Sequence, residues 1–451
     1  MPESHNIIYI SENVCTRLGV SPGQSVTVTI GNKSARAKIA KKRDAEPDDE
    51  TVSLSERLSA ALNIPVGIKL GVIRKDNILK VGPLIGILAK QYQNGVFGQD
   101  SFYRKLLHQL KKLSCIGIVF TPQSIDWERK MIHGYYLPNG ITSKWARRWF
   151  PFPDIVYNRY FRKEGDPWSY PILKRMQKSG VKSFNAPMGN KWKIHRLLSS
   201  DGEIRAHIPD TQVLTAVSVL KEMLNKHHQV YVKPAGGFQG KGITRVRKSN
   251  GTYMCQGTRD IQEYKYNDIN RVYQRTRSAA KSKLMLVQQA ITCPSRIGHF
   301  DVRAMVQKDQ TNKWSITGVA ARVGGKGRVT TNLHTGGKPE RLESVLAACG
   351  FNDSDISEII SNIKKLSLKI ATTLEKHINP IGEIGLDFIV DTTGRVWFLE
   401  ANSKPGRKAF SQMELNRDDR LSIMRPMLYA RYLAGFREGE KYDQKNNIEN
   451  K

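Results

Sequence analysis

The sequence is poor in cysteine and in long apolar runs. Its five cysteines, Cys15, Cys115, Cys255, Cys293 and Cys349, are scattered and include no C-x-x-C pair. That excludes a disulfide framework and a zinc knuckle, and it fits a reducing, cytoplasmic compartment. No uninterrupted apolar stretch approaches the roughly 20 residues that a membrane-spanning helix needs. The opening residues MPESHNIIYI lack the basic and apolar regions of a secretory signal. No H-E-x-x-H can be read, and His227-His228, in a stretch read as a polar loop, suit solvation better than metal ligation. Acidic residues are scarce, with 41 Asp and Glu against 72 Lys and Arg.

What remains is a chain of 451 residues, 39% hydrophobic and 25% charged. That is the composition of a soluble globular protein with room for about three domains. Its formal net charge is +31, and nearly half of the surplus falls in residues 101–200 rather than in a tail. A basic surface on folded structure implies an anionic partner or serves solubility. Within that region, Trp145, Arg147, Arg148, Trp149 and Phe150 interleave aromatic and cationic side chains. They fit a nucleic-acid stacking surface or aromatics packed at a domain seam.

An internal repeat opens the chain. Ile10–Val28 aligns with Leu54–Val72, with Ser11/Ser55, Glu12/Glu56, Leu18/Leu62, Gly23/Gly67 and Val28/Val72 identical. Each copy reads as a short helix, a turn and an alternating strand such as Ser25–Ile30. The two copies predict a pseudo-symmetric β module that resembles a double-psi β-barrel. It carries no catalytic pattern and suits docking. From about Gly82, helix and strand alternate, with a helix over Phe102–Leu113 and a covered strand over Cys115–Phe120. The last residues, 441–451, are polar and predict a frayed tail.

Chemistry concentrates later. Gln229–Pro234 reads as a strand carrying Lys233, followed by Gly236, Gly237, Gly240, Lys241 and Gly242. Such a loop lets backbone N–H groups wrap phosphate oxygens. It is not a Walker A loop, because Lys241 is followed by Gly. Gly382–Asp391 and Arg395–Asn402 read as two strands joined by Thr392-Thr393-Gly394, hence as antiparallel neighbours. That places Asp387, Glu400 and Asn402 close together, with Glu400 and Asn402 on one face. Two carboxylates and an amide oxygen make a hard oxygen set for Mg²⁺ on nucleotide phosphates. Alternatively, both acids face solvent on an edge strand. Asp301, Arg303 and Arg322 lie between the two clusters, and guanidiniums suit charge on a transferring phosphoryl group.

Lys191, Lys233 with its glycine loop, Val287-Gln288-Gln289-Ala290-Ile291, Asp301-x-Arg303, Arg322, Asn332-Leu333-His334-x-Gly336-Gly337 and Asp387…Glu400-x-Asn402 follow one another as in an ATP-grasp enzyme. The later motifs look like those of amino-acid ligases that extend a carboxylate. Over the whole chain the sequence resembles the endospore coat-associated YheC/YheD family. The resemblance implies a multidomain α+β and α/β architecture: a repeat-built, double-psi-like barrel over 1–78, an α/β lobe over 79–185, an ATP-grasp catalytic domain over 186–440 and a tail over 441–451. It implies ATP and Mg²⁺ as cofactors, with Lys191 (or Lys193) and Lys233 on phosphates. Gly236, Gly237, Gly240, Lys241 and Gly242 would form a lid, and Gln288, Gln289, Ala290 and Ile291 the adenine hinge. The family has Glu where this chain has Gln289. Arg303 and Arg322 would stabilise an acyl-phosphate stage, Asn332 would contact phosphate or metal, and Asp387, Glu400 and Asn402 would hold Mg²⁺. The implied reaction is carboxylate–amine ligation on an acidic peptide, protein or polymer, in the mother-cell cytoplasm of a spore former and at its spore coat. The rival reading is a coat scaffold that has kept an ATP-binding fold.

Overall fold

The computed structural model describes residues 5–42, 46, 49–90, 99–161, 169–236, 242–258, 260, 262–278, 284–294, 298–324, 337–378, 380–413 and 416–437. The chain divides into two compact units. The first is Met1–Ala186 with Lys308–Lys313 and Ile423–Lys451; the second is Pro187–Gln307 with Trp314–Ser422.

In the first unit the repeated sequence folds as a repeated structure. Strand Ile7–Ile10, helix Glu12–Leu18 and strands Ser25–Ile30 and Lys33–Lys41 are followed by Ser53–Leu54, Glu56–Ala61, Gly71–Lys75 and Ile78–Gly82. The paired serines start the two helices, and Ser55 accepts a hydrogen bond from the Leu58 N–H, as an N-cap should. The six strands run in the order 53–54, 7–10, 33–41, 25–30, 78–82, 71–75. Just outside the two end strands, Val52 and Leu70 exchange backbone hydrogen bonds of 2.8 and 3.0 Å. That pair joins the two ends of the ladder and removes the liability of two open edges.

The rest of this unit is a seven-stranded sheet. Leu84–Leu88, buried at every position, lies parallel to Ile116–Phe120 on one side and Ile155–Asn158 on the other. Wholly apolar strands of this kind belong in the covered middle of a sheet. Helix Asp100–Lys112 buries Tyr103, Leu106, Leu107 and Leu110 against it, a spacing that makes one apolar stripe. The late helix Asn416–Leu433 contributes its residues from Ile423 onward to the same core, with Met427, Tyr429 and Phe436 buried there. Trp145 is structural: its indole N–H donates to Asp100 at 2.6 Å, and Arg104 lies over its ring.

The second unit holds two antiparallel sheets. One has six strands in the order Thr211–Val213, Met285–Gln289, Gln229–Pro234, Thr244–Ser249, Thr252–Gly257 and Tyr264–Tyr266. The other has five: Lys338–Glu340, Trp314–Val323, Phe300–Lys308, Glu383–Val390 and Val396–Asn402. Helix Asp353–His377 covers the five-stranded sheet with a stripe that includes Ile356, Ile359, Ile363, Leu366, Ile370 and Leu374. It begins in a capping box between Asn352 and Asp355 and ends on Lys376 and His377, so both ends suit the helix dipole. Among the described residues, no helix is long and apolar enough to cross a membrane.

Candidate active site

The strand from Gln229 to Pro234 buries Val230 and Val232 on one face and turns Lys233 to the other, where it is also buried. A cavity in the second unit receives it. Lys191, Lys233, Gln288, Glu400 and Asn402 are among its lining residues, with Ile194, Leu286 and Phe398 as apolar wall. Lys191 opens the helix Lys191–Leu198, whose N-cap, Asn190, accepts from the Lys193 N–H at 2.9 Å. The Lys191 N–H donates to the Ala235 carbonyl at 2.8 Å. That bond ties the start of this helix to the exit of the lysine strand. Two ammonium groups thereby face one cavity beside a helix N-terminus, an arrangement that favours a bound anion. Lys193 is exposed.

Lys233 has a neutral partner. Its Nζ donates to Gln288 Oε1 at 2.6 Å, Gln288 Nε2 donates to Thr211 Oγ1 at 2.9 Å, and Thr211 donates to the Pro209 carbonyl at 2.8 Å. Burial lowers the Lys233 pKa to about 8, and the Lys191 charge adds to that, against the pull of Glu400. Gln288, one of the residues expected at the hinge, fixes the lysine with its side chain. Gln289, Ala290 and Ile291 follow it, with the Gln289 N–H donating to the Asp210 carbonyl at 2.8 Å.

The two carboxylate strands pair antiparallel, Asp387 directly opposite Glu400 and Gly385 opposite Asn402. The register then shifts by a residue between Asp387 and Phe388. A bulge of this sort re-aims side chains beside it, and nothing in the sequence pattern announced it. Val396–Asn402 is the sheet's edge strand, but Glu400 faces the cavity. Its Oε2 lies 3.3 Å from Lys191 Nζ, and its Oε1 accepts from Asn402 Nδ2 at 3.2 Å. Burial opposes the Glu400 charge, but Lys191, Lys233 and the Asn402 amide hold its pKa well below the usual carboxylate range.

Asp387 is held differently. Arg303, opposite it on the neighbouring strand, engages both of its oxygens, and Arg322 Nη2 reaches Oδ2 at 3.0 Å. Arg322 also grips Asp301 with two bonds of 2.6 and 2.7 Å. The result is a buried chain of alternating charge, Asp301, Arg322, Asp387, Arg303. Burial pushes the Asp387 carboxyl up while both guanidiniums oppose it; Arg322 is held firmly protonated by the two acids despite its own burial. Arg303 and Arg322 meet the cost of burying the Asp387 charge. Gly385 makes the chain possible, since a Cβ there would lie 2.8 Å from Pro405 Cβ and 3.4 Å from Arg303 Nη1.

For a divalent cation, Glu400 and Asn402 supply hard oxygen donors on the cavity wall and therefore fit Mg²⁺. Asp387 lies directly across the strand pair from Glu400, with both oxygens taken by guanidiniums. Gly236 lines the cavity, and Gly242 has the left-handed φ of 74°. Gly237, Gly240, Lys241 and Asn332 lie outside the described residues, as do residues 441–451.

Three participants had been given no role from sequence. Thr211 completes the Lys233 relay. Asp301, read only as the neighbour of Arg303, is the anchor of Arg322. His195 lines the cavity, stacked on Trp192 at 5.1 Å between ring centroids, its pKa lowered by burial and by Lys233. Its spacing of four residues from Lys191 is the helical signal that points to it. His227 is not solvated either: it ends the helix Val217–His227 and pairs with Asp210 at 2.8 Å, because a helix C-terminus and a carboxylate both attract an imidazole N–H.

Residues 180–433 match the family model described as YheC/D like ATP-grasp. Over 420 residues the chain is 30% identical to the endospore coat-associated protein YheD of Bacillus subtilis (strain 168), covering 90% of each. It is 23% identical over 324 residues to the endospore coat-associated protein YheC of the same organism, 70% of this chain and 87% of that one. Among solved structures it is similar to D-alanyl-alanine synthetase A from Vibrio cholerae, with a TM-score of 0.48 and 14% identity over 78% of this chain and 99% of that one.

Proposed function

Since the chain belongs to the YheC/D-like ATP-grasp family, we propose that it is an ATP- and Mg²⁺-dependent carboxylate–amine ligase. ATP phosphorylates a substrate carboxylate, and an amine displaces the phosphate to leave an amide. The observation that carries this reading is the single cavity onto which Lys191, Lys233, Glu400 and Asn402 converge. Cations for phosphate and oxygen donors for a metal belong together where a phosphoryl group moves.

Lys191 and Lys233 bind phosphate oxygens from two different elements, so they orient as well as attract. Glu400 and Asn402 would hold Mg²⁺, with Asp387, directly across the strand pair from Glu400, as the third member of the set. When bound, the metal neutralises phosphate charge. Arg303 and Arg322 stabilise the acyl-phosphate stage, and their ion pairs with Asp387 and Asp301 keep them aimed until then. Gln289, Ala290 and Ile291 line the adenine; Gly236, Gly237, Gly240, Lys241 and Gly242 close over the phosphates, and Asn332 contacts them.

The proposed division is a double-psi-like module over 1–78, supported by the Val52–Leu70 closure, a lobe over 79–185, a catalytic domain over 186–440 and a tail. The substrate is an acidic peptide, protein or polymer, met in the mother-cell cytoplasm or at the spore coat. A second reading, a coat scaffold without catalysis, is favoured by one observation: both relatives are named for coat association. Phosphate release from ATP, screened against amino acids and acidic peptides, tests the choice. Release that depends on a carboxylate and an amine together is the expected result, and its absence across the screen leaves the scaffold.

A further inference from the structure

The aromatic and basic stretch between Trp145 and Pro151 does not use its side chains as the cavity does. Ala146–Pro151 is the end strand of the seven-stranded sheet, paired only with Met131–Tyr136 among the described residues. Its inward residue Phe150 and the opposite Ile132 are fully buried. Outward, Trp149 faces His133 and Arg147 faces Tyr135 across the strand pair. Trp149 is 38% exposed, and its ring is stacked with His133 at 4.9 Å and an interplanar angle of 16°. Arg129 lies over the same ring at 5.2 Å, and Arg147 over Tyr135 at 4.8 Å.

The face is cationic as well as aromatic. Arg147 is exposed, and neither Arg147 nor Arg148 pairs with a carboxylate among the described residues. Arg129 pairs with Asp126 at 2.8 Å, while Glu128 and Lys130 are exposed beside it. Burial first, and the neighbouring Arg147 charge second, lower the His133 pKa.

We propose that this edge docks an extended acidic polypeptide segment. An open strand edge offers main-chain hydrogen bonds to an added strand. The Arg147 guanidinium, backed by the Tyr135 ring and steadied through its Nε by the His133 carbonyl at 3.3 Å, keeps its two terminal nitrogens for a carboxylate. A single-stranded nucleic acid fits less well, because stacking requires an open aromatic face, and the Trp149 ring already carries His133 and Arg129. As a place where the ligase holds its acidic acceptor, the surface deepens the reading above and rests on it; as a binding surface it stands on its own.

The test is fluorescence anisotropy of a short labelled poly-L-glutamate titrated with the full chain, at low salt and without nucleotide. Arg147→Glu should weaken binding by about tenfold, the loss of one charge-assisted contact and the gain of a repulsion. Arg147→Lys should lose less than Arg147→Glu, and Trp149→Ala should also weaken binding. Lys111→Glu, an exposed lysine on helix Asp100–Lys112, is the control for bulk charge and should change binding by less than about twofold. Equal losses in Arg147→Glu and Lys111→Glu would overturn the proposal, as would tighter binding of a labelled oligothymidylate through the same residues. Thermal melts followed by circular dichroism confirm that each variant is folded. A chain that binds poly-glutamate in this pattern but releases no phosphate from ATP keeps the surface and loses the ligase. A chain with turnover and no Arg147 effect does the reverse.

Discussion

Replacing Lys233 by Met tests whether the cavity is maintained for function at the expense of stability. The Lys233 side chain is buried, and its pKa is lowered to about 8 from 10.5 by burial first and the Lys191 charge second. The folded chain therefore binds fewer protons there than the unfolded chain between those two values. The resulting destabilisation is fully present below the folded pKa and is relieved as pH rises toward the unfolded one. From the shift, its size is about 3 kcal/mol at neutral pH, and about 2 kcal/mol of that is gone by about pH 9.5. Met keeps the length and apolar stem of the side chain but strands the Gln288 Oε1, a loss of about 1 to 3 kcal/mol. Near neutral pH the two effects offset each other, so the informative quantity is the pH dependence of the difference. Urea denaturation of both chains at pH 7 and at about pH 9.5 should show the wild type gaining about 2 kcal/mol relative to Lys233→Met as pH rises. Titrating groups that do not interact with Lys233 cancel in that comparison. A difference that is flat with pH would refute the claim that Lys233 is carried as a strained cation.

Glu400→Gln should abolish Mg²⁺-dependent phosphate release while leaving the unfolding free energy within about 1 kcal/mol of wild type, because the carboxylate is partly exposed and its contacts are Lys191 and the Asn402 amide, which a glutamine can still meet. Asp387→Asn should do both kinds of damage: it removes the charge shared by Arg303 and Arg322, so denaturation should show a loss of about 3 to 5 kcal/mol alongside lost turnover. Gly385→Ala should raise the KM for the carboxylate substrate more than that for ATP, since the added methyl meets Pro405 and displaces the Arg303 guanidinium; equal effects on both constants in steady-state assays would count against Arg303 as the acyl-phosphate stabiliser.

Much of the fold was legible wherever a local pattern decided it. The repeat carried its two serine-started helices into the structure, and the strand ending in Lys233 runs from Gln229 to Pro234 as its alternation implied. The hairpin of Asp387 and Glu400 followed from a turn and a period of two. What stayed hidden was set by contacts distant in sequence. That Asp301 would take Arg322 while Asp387 took Arg303 depends on the lateral register of three strands, which side-chain alternation alone does not supply. The Gln288–Thr211 relay joins residues far apart in the chain. Trp145 and Trp149 look alike in the sequence, but Trp145 precedes the strand Ala146–Pro151 and is tied to Asp100, while Trp149 stands on the strand's outward face and is exposed.

The helix that ends at Leu433 gives the chain an awkward birth order. Ile85, Ile87 and Phe184 share a core with Met427, Tyr429 and Phe436. When the ribosome has finished the strand that holds Phe184, the residues that cover it have not yet been made. At about 5 to 20 residues per second, the interval is on the order of ten to fifty seconds. Throughout that time the early lobe carries an apolar surface destined for the last helix, the kind of transient exposure that invites aggregation. The same arrangement makes the helix a seal on synthesis: a message cut short before residue 423 yields a first lobe with its core open.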